Sequence, residues 1–101
     1  MKTLNELKTE LVSKELLTQE AADNADTKVL KIEAEWDNED NIIVKSKQIG
    51  VYGNDTIFKA IAFEGKLPAT RKDEDYEVTE SNFKSDIQAM YLDCEIWLRI
   101  D

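Results

Sequence analysis

The chain has 101 residues, enough for one domain and too few for two, so residues 1–101 are predicted to form a single domain. Hydrophobic residues make up 42% and charged residues 35%, which supports a core and argues against global disorder. The 22 acidic and 13 basic side chains give a net charge of -9. That balance argues against a nucleic-acid binder with a basic face and favours a basic partner, a cation or a second copy.

The cellular location is predicted from what the sequence lacks. The single cysteine, Cys94, has no partner for an internal disulfide, and the first residues lack the apolar run of a secretion signal. No stretch approaches the ~18 apolar residues that a membrane span needs. These patterns predict a cytoplasmic protein without membrane association.

Two helices are expected at the start of the chain. Thr3 and Glu6 have the spacing of a capping box. Apolar residues then recur at helical intervals, at Leu4, Leu7, Leu11 and Val12. Thr18 is the expected N-cap of a second, shorter helix. Together these segments predict a helical hairpin with one apolar side.

The period changes from Lys28 onward. The apolar side chains of Leu30, Ile32, Ala34 and Trp36 alternate with charged ones, a pattern typical of a half-buried strand. Residues 37–41 are turn formers, and the β-branched residues that follow them suit a second strand. A β-hairpin is therefore predicted, with Trp36 on its core side.

The segment 56–63 fits two structures. A helix capped by Asn54 or Asp55 is one interpretation, and a third strand is the other. The turn-forming residues before the segment can make a second hairpin connection, so the strand is preferred. Residues 66–77, which include the only proline, are predicted to form an exposed loop.

The last part of the chain predicts one more helix and a long strand. Thr79 or Ser81 can cap the helix. Alternation then predicts a strand whose inner side is formed by Met90, Leu92, Cys94, Ile96, Leu98 and Ile100. Tyr91 and Trp97 would share its outer side, either beneath a helix or at a contact surface.

The order α-α-β-β-β-α-β predicts an α+β fold, with an antiparallel sheet of about four strands and helices packed on one face. An antiparallel sheet can leave its other face in water. That open face would carry acidic side chains of the first strand.

No segment suggests catalysis. The chain lacks histidine, which removes the commonest general base and metal ligand. Cys94 lies among apolar residues and is expected to be a buried structural thiol. Residues 37–41 have the ligand spacing of a calcium loop, but Ile42 and Gln48 stand where glycine and glutamate are needed, so a solvated turn is favoured over a weak cation site. We expect a non-enzymatic protein without catalytic residues, metal or cofactor.

Acidic residues concentrate in two segments, which we interpret as a partner-binding surface. Alternate residues of a strand lie about 6.6 Å apart on one face, so the first strand would present a row of carboxylates. DNA presents one phosphate per ~3.4 Å along each strand, so such a row can imitate nucleic acid. The expected contact residues are Glu33, Glu35, Asp37, Glu39, Asp40, Asp73, Glu74, Asp75, Glu77 and Trp97. The alternative is an ordinary solvated face.

These features predict a small acidic binding protein that docks onto a basic, nucleic-acid-binding protein and inhibits it as a DNA mimic. The short, lysine-rich and acid-rich composition resembles that of accessory proteins from bacteriophages and mobile elements, which implies a similar origin. The alternative is a structural or assembly component, such as a virion joining protein. It would form a homo-oligomer through edge strands or the face with Tyr91 and Trp97. Neither interpretation involves direct binding to nucleic acid.

Overall fold

The computed structural model describes all 101 residues. Three helices and four strands follow one another in the predicted order: α1 (Leu4–Ser13), α2 (Gln19–Asn24), β1 (Ala25–Trp36), β2 (Ile42–Gly53), β3 (Thr56–Ala62), α3 (Glu80–Met90) and β4 (Glu95–Ile100). The α+β class is confirmed, and the segment 56–63 is a strand. None of the helices has the length and apolar composition needed to cross a membrane.

Each helix begins at a threonine whose side chain accepts a main-chain N–H of the first turn. Thr3 accepts from Glu6, and the Glu6 carboxylate accepts the N–H of Thr3, so the predicted capping box is present. Thr18 and Thr79 cap α2 and α3 in the same way. These caps satisfy donors that have no partner inside the helix, which fixes where each helix starts.

The sheet has the order β3-β2-β1-β4. The pairs β1–β2 and β2–β3 are antiparallel, whereas β1 and β4 are parallel. Two antiparallel steps make β3 run in the same direction as β1, and the chain passes from β3 to β4 through α3. Strands joined by such a crossover run in the same direction, so β4 is parallel to β3. It is therefore also parallel to β1, its neighbour in the sheet.

All three helices contribute to one core on one face of the sheet. Leu30 and Ile32 of β1 point into it and are fully buried, as are Leu7 of α1 and Phe83 of α3. Each such side chain contributes about 1.5–3 kcal/mol of transfer free energy. Val29 is also fully buried, but it points to the opposite, open face. That exception shows that something covers part of the open face.

Trp36 does not join the core as the alternation predicts. It is the last residue of β1, and its side chain is 38% exposed. Its N–H donates to the carbonyl of Asp101, and its side chain borders a cleft with Val78. Alternation places Trp36 on the correct face, but Val78, Thr79 and Glu80, at the start of α3, border its cleft without covering it.

The last strand is shorter than predicted. The helix α3 runs to Met90, and a turn closed by the Cys94 N–H on the Tyr91 carbonyl precedes β4. Leu92 is 81% exposed rather than inward-facing. As a result Tyr91 lies on the helix side, stacked edge-on against Phe63, and does not share a face with the tryptophan of β4.

Candidate functional site

The two acidic segments lie together at one end of the sheet. The loop after β3 runs beside β2, where the Ile42 N–H donates to the Thr70 carbonyl at 2.8 Å. The Lys72 N–H donates to Asn41 Oδ1 at 2.9 Å, and Lys72 Nζ lies 3.6 Å from a carboxylate oxygen of Asp40. These contacts hold the loop that carries Asp73, Glu74, Asp75 and Glu77 against the turn 37–41. We call this region, residues 36–41 with 72–80, the acidic end.

A cleft of about 310 Å³ lies within the acidic end. It is lined by Trp36, Asp40, Lys72, Glu77, Val78, Thr79 and Glu80. The partly exposed indole of Trp36 is the largest apolar surface there, and three carboxylates surround it. Lys72 is the one basic side chain in the lining.

The carboxylate of Asp37 forms hydrogen bonds within the turn, so it does not extend the predicted row of exposed carboxylates on β1. Its carboxylate accepts the N–H groups of Glu39 at 2.8 Å and Asn41 at 2.9 Å. These main-chain hydrogen bonds, Asn41 first, lower the pKa of Asp37 below its ordinary 3.8. Asp40 adopts φ 60°, a left-handed conformation that aspartate tolerates better than most residues. Asp40 and Glu39 therefore project outward, with both side chains exposed.

Glu33 and Glu35 lie on the open face, but cations interrupt the predicted acidic row. Lys31 Nζ is 3.8 Å from Glu33 Oε1, and Lys45 Nζ is 3.1 Å from Glu35 Oε1. Arg99 of β4 is the register neighbour of Glu33, and its Nε lies 3.1 Å from Oδ1 of Asp101. The structure thus divides the predicted contact residues into an acidic end and an open face on which acidic and basic side chains are mixed.

Trp97 also lies on the open face, in an aromatic cluster with Tyr52 and Phe58. Its ring centroid is 5.3 Å from that of Tyr52 and 5.1 Å from that of Phe58. Val29 lies on the same face, between its register neighbours Gly50 and Glu95, and is fully buried although it points away from the helices. Lys31 Nζ lies 5.8 Å from the Phe58 centroid. We call these three rings the open-face cluster.

Sequence reasoning missed two residues of these regions. Trp36 was assigned to the core, although its position at the last residue before a polar turn is a signal of exposure. Phe58 was not singled out, although it alternates with Ala60 and Ala62 and so shares their face of β3. Once that strand is accepted, the alternation identifies Phe58 as an open-face residue.

Cys94 has the environment of a structural thiol. It is 3% exposed, and burial raises the pKa of its thiol to about 11. Gln88 Nε2 donates to the carbonyls of Tyr91 and Cys94, each at 3.0 Å, which fixes the turn before β4. No group of three or more cysteine, aspartate or glutamate side chains is arranged to hold a metal ion.

The geometry therefore offers two regions of possible contact, the acidic end and the open-face cluster. Comparisons of this chain with protein-family models, with curated proteins and with solved structures found no match.

Proposed function

We propose that the chain is a non-enzymatic, cytoplasmic binding protein whose acidic end docks onto a basic protein partner. The observation that carries the proposal is the meeting of the turn 37–41 and the loop 72–77 around a partly exposed tryptophan. Separately, each segment is an ordinary solvated stretch. Together they form a concave surface with concentrated negative charge and an aromatic centre.

The cleft suits an arginine or lysine side chain of the partner. A guanidinium group can lie over the face of the Trp36 indole, since a cation is attracted to an aromatic ring. Asp40, Glu77 and Glu80 line the same cleft and can accept its N–H groups. Tryptophan is a frequent anchor of protein interfaces, so Trp36 is the residue whose truncation should cost most affinity.

The proposed partner is a nucleic-acid-binding protein, which the chain inhibits by occupying the groove meant for phosphates. The net charge of -9 favours attraction to such a groove from a distance. Carboxylates spread over the turn and the loop then take the place of phosphates at short range. The composition resembles that of accessory proteins of bacteriophages and mobile elements, and such an origin would fit an inhibitory role of this kind.

The test begins with affinity capture from the native host, followed by mass spectrometry to name the partner. Calorimetry then measures the affinity of the purified partner at low and high salt. We expect weaker binding at high salt, because screening removes the electrostatic attraction. An affinity that is indifferent to salt would overturn the proposal.

Matched variants locate the contact. Glu77→Lys reverses a charge at the acidic end, whereas Glu20→Lys makes the same change of net charge on α2, beside the opposite end of β1. We expect Glu77→Lys and Trp36→Ala to weaken binding at least tenfold, about 1.4 kcal/mol, and Glu20→Lys to have a much smaller effect. Equal effects of the two charge reversals would show that only total charge matters and would overturn docking at the acidic end.

A further inference from the structure

A third region, a cavity of about 500 Å³, lies on the helix side of the sheet. Ile49 of β2 and Ile61 of β3, which are register partners, line it together with the rings of Phe63 and Tyr91. Glu10 of α1 also lines it. Six of the ten lining residues are hydrophobic, and the volume falls in the range of about 300–1,000 Å³ that is usual for small-molecule sites. The cavity shares no lining residue with the cleft of the acidic end.

Long-range contacts hold the walls of this cavity in place. Lys47 Nζ donates to the Gly65 carbonyl at 2.9 Å, and the Tyr91 hydroxyl donates to the Lys66 carbonyl, so the segment after β3 is fixed at two points. The rings of Phe63 and Tyr91 pack edge-on, with centroids 5.3 Å apart. A Cβ at Gly65 would lie 2.2 Å from Cζ of Phe63, so a glycine is needed where the ring folds over the main chain. The cavity is therefore preformed.

One carboxylate oxygen at the cavity has no partner in the chain. Glu10 Oε1 accepts from Lys2 Nζ at 3.0 Å, whereas Glu10 Oε2 is buried and accepts no hydrogen bond. It is the only buried side-chain nitrogen or oxygen of the protein in this condition. Buried polar atoms are nearly always hydrogen-bonded, because an unpaired one loses its contact with water and gains nothing in exchange. Glu10 Oε2 therefore calls for a donor from outside the chain.

The other charges at the cavity do not supply that donor. The ammonium groups of Met1 and Lys2 and the carboxylates of Glu10 and Glu64 are equal in number, so their sum favours neither sign of ligand. Lys2 is already bound to Oε1, and the Met1 ammonium makes no ion pair with Glu10. A preference for a cation therefore comes from Oε2 itself.

From these observations we infer that the cavity binds a small molecule with an ammonium head and an apolar body. The ammonium donates to Glu10 Oε2, and the body lies between the isoleucines and the two rings. An ionised carboxylate only accepts, and its hydrogen bonds with a cation are about twice as strong as those with a neutral donor. The last torsion of a glutamate turns easily, so Oε2 can rotate toward the ligand. Met1, at the same cavity, is 61% exposed and free to move aside.

Titration of the isotope-labelled full chain, followed by NMR, tests this inference. The probe is phenethylamine, and phenethyl alcohol and hydrocinnamate are controls of similar size that are neutral and anionic. We expect the amine to bind at least tenfold more tightly than the alcohol, and hydrocinnamate to bind no better than the alcohol. The amide signals of Ile49, Ile61 and Gly65 should move, while those of Val78 and Thr79 at the acidic end stay in place.

Three variants locate the ammonium. Glu10→Gln keeps the size of the side chain but removes its charge, so it should weaken binding of the amine about tenfold and leave binding of the alcohol unchanged. Glu20→Gln removes the same charge from an exposed position on α2 and should leave both affinities within about twofold. Lys2→Ala removes the competing ammonium and should tighten binding of the amine by about threefold. Circular dichroism checks that each variant folds.

The inference is independent of the proposed function, because docking of a basic protein at the acidic end requires nothing of this cavity. Equal affinities of the amine and the alcohol would overturn it, since the cavity would then select only for apolar surface. It is also overturned if Glu10→Gln binds the amine as tightly as the wild type does. A titration that moves only the signals of the acidic end, or none at the highest soluble concentration of the amine, would overturn it as well.

Discussion

The ammonium group of Lys28 is buried on the helix side of β1 and pairs with the carboxylate of Asp93 at 2.5 Å, across 65 positions of sequence. The Lys28 side chain is 3% exposed, whereas that of Asp93 is 65% exposed. Lys28 Nζ also donates to the Lys2 carbonyl at 2.7 Å. One buried cation thus ties the first residues, β1 and the turn before β4 together.

The two partners of this pair should respond differently to replacement. Asp93→Ala leaves a buried ammonium with one acceptor, so we expect the free energy of unfolding to fall by about 1–3 kcal/mol. Lys28→Met replaces the ammonium with an apolar side chain of similar length, which should change stability by less than about 1 kcal/mol. Urea denaturation measures both. We attribute the destabilisation to the unpaired buried ammonium and not to the loss of the hydrogen bond itself. An equal fall in the free energy of unfolding in the two variants would contradict this.

The same pair predicts a dependence of stability on pH. The hydrogen bond from Lys28 is the main cause that lowers the pKa of Asp93 below its ordinary 3.8. A carboxyl with a lowered folded-state pKa stabilises the fold above its ordinary pKa, and that contribution disappears as pH falls through the lowered value. We expect Asp93→Asn to melt at a lower temperature than the wild type near neutral pH, with the difference shrinking below pH 3.8. A difference that stays constant at low pH would count against this assignment.

Gly50 is required by the close approach of β3. A Cβ at this position would lie 2.1 Å from the Lys59 carbonyl oxygen and 2.7 Å from Cε1 of Phe58. Gly50→Ala should therefore cost about 1–3 kcal/mol, because main chain must move, and should displace a ring of the open-face cluster. Ser46→Ala, on the same strand and face, is the control and should stay within about 0.5 kcal/mol. If both variants unfold at the same urea concentration, the close approach is wrong.

Cys94 should be inert in the folded protein. Its thiol is 3% exposed, and its pKa is raised to about 11, so little reactive thiolate forms near neutral pH. We expect slow reaction with an aromatic disulfide reagent in buffer and rapid reaction in denaturant, followed by absorbance. A native rate close to that of free cysteine would contradict burial.

Local patterns predicted the starts of the helices well. A cap such as Thr3 with Glu6 involves residues three positions apart, so the sequence displays all of it. Face assignment within β1 was also correct, since alternation records it directly. Alternation alone does not predict the exposure of Trp36, because a period of two identifies a face but not what covers it, and the only local signal is the polar turn that follows.

Sequence patterns do not show which distant segments of the chain meet in the fold. Residues 90–94 alternate in hydropathy, yet they include a helix end and a turn, which alternation does not distinguish from a strand. The two acidic segments were both identified, but their meeting depends on contacts such as that of Lys72 with Asn41, 31 positions apart. The position of Arg99 next to Glu33 in the sheet was missed for the same reason, since it depends on the parallel pairing of β4 with β1.

The molecule is elongated, with extents of 49 × 22 × 22 Å, so the position of the acidic end affects how the molecule orients in an electric field. Carboxylates gathered at one end of a rod give the molecule a dipole moment along its long axis. Near a positively charged surface the field exerts a torque on that dipole, which turns the rod before contact is made. The molecule would therefore arrive end first, and fewer of its collisions would be lost to wrong orientations.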